Sequence, residues 1–102
     1  MGKKNKSITN LNRELQTYKG IPFRLIERYD YHVMQAKRFT LNETNQNVWI
    51  PNKHLLEDGT LREGENVDYV FRSRTRQLEI AGITQAIPGI KRRNATIKEE
   101  VF

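Results

Sequence analysis

Three arginines occupy alternate positions in the stretch VFRSRTRQ, at Arg72, Arg74 and Arg76. Elsewhere basic residues stand beside aromatics: Arg28 precedes Tyr29, Arg38 precedes Phe39 and Phe71 precedes Arg72. Guanidinium and ammonium groups neutralise phosphates, and exposed rings stack bases, so this pairing suits a polynucleotide partner. The candidate contact residues are Arg24, Arg28, Lys37, Arg38, Arg72, Arg74 and Arg76 for phosphate, with Tyr29 and Trp49 as stacking rings. The same residues also suit a scattered, individually solvated set, and the positions of the strands decide between the two.

Patterns for catalysis and metal binding are sparse. His32 and His54 belong to no H-x-H or H-E-x-x-H pattern, and both read as surface or internally satisfied histidines. GTLREGEN has two glycines four residues apart but lacks the Lys and Ser/Thr of a phosphate-cradling loop. Glu57 and Asp58 adjoin each other where solvated charges are common, and no G-x-S-x-G occurs. With no cysteine, there is neither a thiol nucleophile nor a thiolate metal site. The expectation is a protein that is not an enzyme and carries no cofactor or metal.

The composition allows one domain of 102 residues with a modest core, at 36% hydrophobic and 29% charged residues. The net charge of +6 is concentrated at the ends. Lys3, Lys4, Lys6, Arg13 and Lys19 oppose only Glu14 in residues 1–20, and Lys91, Arg92, Arg93 and Lys98 oppose Glu99 and Glu100 in residues 91–102. Residues 21–90 are neutral overall, so attraction for a polyanion comes from the termini or from patterning within the middle. The expected organisation is a basic arm at 1–9, a single domain at 10–90 and a mixed-charge tail at 91–102. The opening MGKKNKSITN has no apolar run after its charges, and no stretch approaches the roughly 20 apolar residues of a membrane span. A cytoplasmic location is the simplest reading.

These side chains need elements to position them. Ile8, Leu11, Leu15 and Tyr18 are spaced for one face of a helix over 10–19, with Gly20 and Pro22 as its stop. Alternation through PFRLIERYDYHVM and HVMQAKRFTL predicts two β segments with a turn or bulge near Asp30–His32. NETNQN (42–47) reads as a loop, and VWIPNKHLLEDG as a strand delivering a short helix near 52–58 that ends at Gly59. Residues 67–83 fit a hairpin pairing Phe71 with Leu78 and Tyr69 with Ile80. That register leaves Arg72 on the sheet and puts Arg74 and Arg76 in a four-residue turn. Phe23, Leu25, Tyr69 and Phe71 are assigned to the core, Tyr29 and Tyr31 to the surface, and Trp49 to either. The sum is an α+β domain dominated by antiparallel strands.

GENVDYVFRSRTRQLEIAGI resembles the closing part of a PUA-like module, with Gly64 before one strand and Ala81-Gly82 ending its partner. The size, the charge and the helix-then-strands order are similar to the small PrgU-type regulators of Gram-positive conjugative plasmids, which are PUA-like. The resemblance implies a mainly antiparallel, barrel-like pseudobarrel and RNA binding. NVWIPNKHLLEDGTLREGENVDYVF is also similar to AbrB-like DNA-binding domains, which imply an intertwined dimer placing arginines on DNA. The leading expectation is therefore a small, non-catalytic, cytoplasmic nucleic-acid-binding regulator, with RNA ahead of DNA as partner and no membrane association. The alternatives are a dimeric AbrB-like DNA regulator and a protein-binding accessory module.

Overall fold

Alternation is the organising pattern of the chain's first half. In the computed structural model, which describes residues 10–83, Ile21, Phe23 and Leu25 are buried while Pro22 and Arg24 are half-exposed. The same rhythm places Lys37, Phe39 and Leu41 inward, and then Val48 and Ile50. Because successive strand side chains point to opposite faces, each run yields one apolar face for burial. The strands are β1 (Gln16–Tyr18), β2 (Ile21–Leu25), β3 (Ala36–Leu41) and β4 (Asn47–Pro51). They form one antiparallel sheet in chain order, with no pairing between β1 and β4 among the described residues. The arm at 1–9 and the tail at 91–102 lie outside the described residues, as does the end of the expected domain at 84–90.

The expected helix over 10–19 is not present in the described part: residues 10–15 have no regular structure and 16–18 form β1. The turn that follows overrides the helical spacing. Lys19 and Gly20 both adopt positive φ, 49° and 83°, as in the two-residue turns that match the twist of a hairpin. Tyr18 and Ile21 then pair directly, both inward. Leu15 remains exposed, so the supposed stripe has no common face.

The segment after β4 also departs from expectation. Asn52–His54 make a single 3-10 turn, after which the chain extends and Leu55 bridges Leu61. Leu55 is buried and Leu56 exposed, an alternation that a strand-like stretch satisfies better than a helix. The reversal between them uses Gly59 at φ 92°, where an added Cβ would lie 3.4 Å from Leu25. Gln16 clamps this loop from both sides, donating to the Gly59 carbonyl and accepting from the Leu61 amide.

The largest correction concerns residues 67–83, which fold as helices α1 (Asp68–Arg72) and α2 (Thr75–Ile80). Val67, Val70, Phe71, Leu78 and Ala81 are buried, at helical intervals of three and four, whereas Tyr69 and Ile80, assigned inward in the hairpin register, are 48% and 57% exposed. The Ala81-Gly82 pair ends a helix rather than a strand. Gly82, at φ 84°, sends its amide to the Glu79 carbonyl, and Ile83 sends its own to Leu78, the paired bonds of a Schellman cap.

The helices close the core over the sheet's inward face. Phe71 stacks on Tyr18 at 5.4 Å between ring centroids and meets Phe23 at 6.1 Å, while Phe23 sits edge-on to Phe39 at 5.2 Å. Burying each of these rings contributes roughly 1.5–3 kcal/mol. Tyr18 also ties α1 to β1 through its hydroxyl, which donates to Asp68 at 2.5 Å and accepts from the Val67 amide at 3.0 Å.

Candidate nucleic-acid interface

The sheet's other face carries the alternate residues: Arg24 on β2, Arg38 and Thr40 on β3, and Asn47 and Trp49 on β4. The β3–β4 register sets Arg38 directly across from Trp49, and the β2–β3 register sets Arg24 across from Thr40. The Arg38 guanidinium lies 5.8 Å from the Trp49 ring centroid. Arg28 reaches the same ring at 5.8 Å, although it lies beyond the end of β2. Both are within the reach of a cation–π contact.

Arg28 is positioned by the connection between β2 and β3. Tyr31 opens a 3-10 turn at Tyr31–Val33, and its buried hydroxyl donates to the Ile26 carbonyl while accepting the Arg38 amide at 3.2 Å. That anchor holds the connection against β3, and Asp30 then fixes Arg28 with two bonds of 2.9 and 3.0 Å. The same pairing holds the Asp30 carboxyl below its usual range. Tyr31, expected at the surface, is therefore a core residue. Its neighbour Tyr29 is 81% exposed, as expected.

The three arginines of this face differ in availability. Arg24 is paired with Glu43 at 2.7 Å and donates to the Arg13 carbonyl, while its Nε is buried without a hydrogen-bond partner. Arg28 is held by Asp30. Arg38 bonds only the Asn47 amide oxygen, at 3.2 Å, and has no carboxylate partner among the described residues. A phosphate can therefore meet Arg38 without displacing a protein carboxylate, whereas at Arg24 and Arg28 it must share the cation.

The remaining candidates separate from this group. Lys37 has the inward parity of β3 and is 7% exposed. Its ammonium donates to Asn52 at 3.1 Å over the Tyr31 ring, and burial holds it below the usual lysine value. Arg72, Arg74 and Arg76 lie on α1, on the turn and on α2, which pack on the inward face of the sheet. Arg24, Arg28, Arg38 and Trp49 therefore form one surface with Tyr29 beside it, and the late arginines stand apart on the helical layer.

His54 is the internally satisfied histidine that the sequence allowed, although its partners were not foreseen. This buried ring bonds Glu65 through Nδ1 and the Tyr69 hydroxyl through Nε2, both at 2.7 Å. Both ring nitrogens thereby have a polar partner, one on each side of the ring. The chain of bonds pins the 52–54 turn to α1. Its members are separated by eleven and four residues, a spacing that matches no motif. No group of three His, Cys, Asp or Glu residues could hold a metal among the described residues, and no helix there is long and apolar enough to cross a membrane. No family model, curated protein or solved structure matches the chain.

Proposed function

We propose that the protein is a small, non-catalytic regulator that binds single-stranded RNA on the outer face of its sheet, acting in the cytoplasm. The observation that carries this reading is the Trp49 ring, half-exposed and flanked by the guanidinium groups of Arg28 and Arg38 at 5.8 Å. A ring of this kind offers a base one stacking surface, and the adjoining cations meet the phosphates on either side of it. Single-stranded RNA presents unstacked bases to such a platform, whereas a duplex hides them. The PUA-like pseudobarrel has no part in this reading, since the segment that suggested it, residues 64–83, contributes helices instead of strands.

Filter-binding titrations against single-stranded RNA, structured RNA and duplex DNA test the reading. Single-stranded RNA should bind tightest, with affinity falling as salt rises. Trp49→Ala should weaken that binding by about 1–3 kcal/mol, or roughly five- to 150-fold, the range measured for loss of a stacking ring. Absence of salt-sensitive binding to all three nucleic acids would refute it, and tightest binding to duplex DNA would favour the DNA-regulator alternative.

A further inference from the structure

Lys37 is the one lysine that the fold buries among the described residues. Its stem packs over Gly59, and its ammonium has a single hydrogen bond, to Asn52, with no carboxylate in ion-pairing reach among the described residues. A buried ammonium carries three donors and a large desolvation cost, met here by one neutral acceptor, the Tyr31 ring 5.6 Å away and the more distant charges of Glu57 and Asp58. Burial accordingly holds the amine below its ordinary value.

Lys37 lines a cavity of about 290 Å³ at the end of the sheet, between the β2–β3 connection and the 52–57 segment. Leu11 and Met34 supply apolar wall, Tyr29 and Tyr31 supply rings, and Arg28 stands with Lys37 on the polar side. Glu57 is the one carboxylate on the wall, against those two cations. Asp30 occupies the Arg28 Nε and one terminal nitrogen, which leaves the other terminal nitrogen free to donate. The volume lies just below the roughly 300–1,000 Å³ typical of ligand sites. It suits no more than one nucleotide-sized unit within the cavity itself.

We propose that this cavity binds a single nucleoside monophosphate unit, with its phosphate on Lys37 and Arg28 and its base against Tyr29 and the Leu11–Met34 wall. The choice of a nucleotide over other aromatic anions rests on the RNA-binding reading above, because Arg28 belongs both to the cavity and to the Trp49 platform. A strand crossing Trp49 can place its next nucleotide here. The same chemistry would also capture a free mononucleotide.

The test is a calorimetric titration of the full chain with adenosine 5′-monophosphate, with inorganic phosphate and with a single-stranded RNA tetramer. The mononucleotide should bind measurably, and Lys37→Met should weaken it at least tenfold while leaving the fold intact, since the substitution removes a buried charge and keeps the stem. Tyr29→Ala, at an exposed ring that the core does not use, should weaken it as well. Competition between the tetramer and the mononucleotide assigns the site to the strand, and absence of competition assigns it to free nucleotide; either result supports the site. The inference is overturned if the mononucleotide does not bind, if Lys37→Met binds it as tightly as the parent, or if inorganic phosphate binds equally well. Tetramer binding without mononucleotide binding would overturn this inference and leave the RNA reading standing. Failure of the tetramer to bind would remove the RNA reading itself.

Discussion

Replacing Arg28 and Arg38 together by Ala should make RNA binding less sensitive to salt, whereas replacing Arg74 and Arg76 together should not. Each phosphate neutralised on a single strand contributes about 0.7 to the slope of log affinity against log salt. Losing the two cations beside Trp49 therefore lowers the slope by about 1.4, so between about 50 and 200 mM salt the variant should lose roughly sevenfold less affinity than the parent. Whatever the basic residues near the chain's ends add to the slope is common to every variant, so the difference between variants carries the information. Arg74 and Arg76 lie on the helical layer, away from the platform, and their removal should leave the slope unchanged. The assay is filter binding at four or more salt concentrations, with a thermal melt confirming that each variant is folded. An unchanged slope for the Arg28/Arg38 variant, or a reduced one for the Arg74/Arg76 variant, would refute the assignment of the outer face. Asp30→Asn offers a check of opposite sign, since it releases Arg28 from its carboxylate and should steepen the slope.

Two further outcomes bear on the fold. Phe71→Ala should destabilise the protein by about 3–5 kcal/mol, as expected for a fully buried ring, read from the urea midpoint; a change below about 1 kcal/mol would place α1 off the core. Asp68 accepts from Tyr18 and Lys19, which holds its carboxyl below the usual range in the folded state. A lowered folded value contributes stability that is present above the unfolded value of about 3.9 and is lost as pH falls through the folded one. Asp68→Asn should therefore be less stable than the parent near neutrality and converge with it in acid. Parallel stability profiles from pH 2 to 6 would exclude that role for Asp68.

The parts of the fold that were legible in the sequence are those where one short-range pattern dominates. Phe23 and Leu25, then Phe39 and Leu41, then Val48 and Ile50 alternate, and strands form around them, although the first two are shorter than expected: β2 ends at Leu25 and β3 begins at Ala36, with a 3-10 turn at Tyr31–Val33 between them. The polar run after Leu41 makes the expected turn, with Asn42 and Glu43 at positive φ. Residues 67–83 were misread because two periodicities compete. Val67, Phe71 and Leu78 fit both a strand register and a helical face, so the ambiguity falls on Tyr69 and Ile80. What resolves it is tertiary: Tyr69 is drawn outward by the His54 bond, and Gly82 closes a helix cap. Helical spacing at Leu11, Leu15 and Tyr18 fails for a related reason, because the Lys19-Gly20 turn and the Tyr18–Asp68 bond both favour an extended segment. In the candidate site, adjacency of basic and aromatic residues drew attention to Arg28 and Arg38, while Trp49, which has no basic neighbour in the chain, was open to either core or surface. It could not reveal that Arg38 faces Trp49 across two strands, since that depends on register.

The alternation that builds the core also determines what the outer face can do. Once Phe39 and Val48 are committed inward, Arg38 and Trp49 must point outward, and the antiparallel register makes them partners. A ring as large as Trp49, packed against the core but only partly buried, gives up part of the roughly 25 cal/mol per Å² that full burial would return. Two guanidinium groups over it recover some of that through cation–π contact and surround the half-exposed ring with positive charge. Lys37 shows the converse compromise on the same strand: the parity that exposes Arg38 draws an ammonium inward, to the edge of a cavity where Arg28 waits. Both departures from a simple apolar-in, polar-out pattern thus converge on Arg28, the side chain that the Tyr31 anchor and the Asp30 fork hold in place. If the outer face and the cavity work as one surface, Arg28 should be its most sensitive position, affecting strand affinity and mononucleotide affinity together.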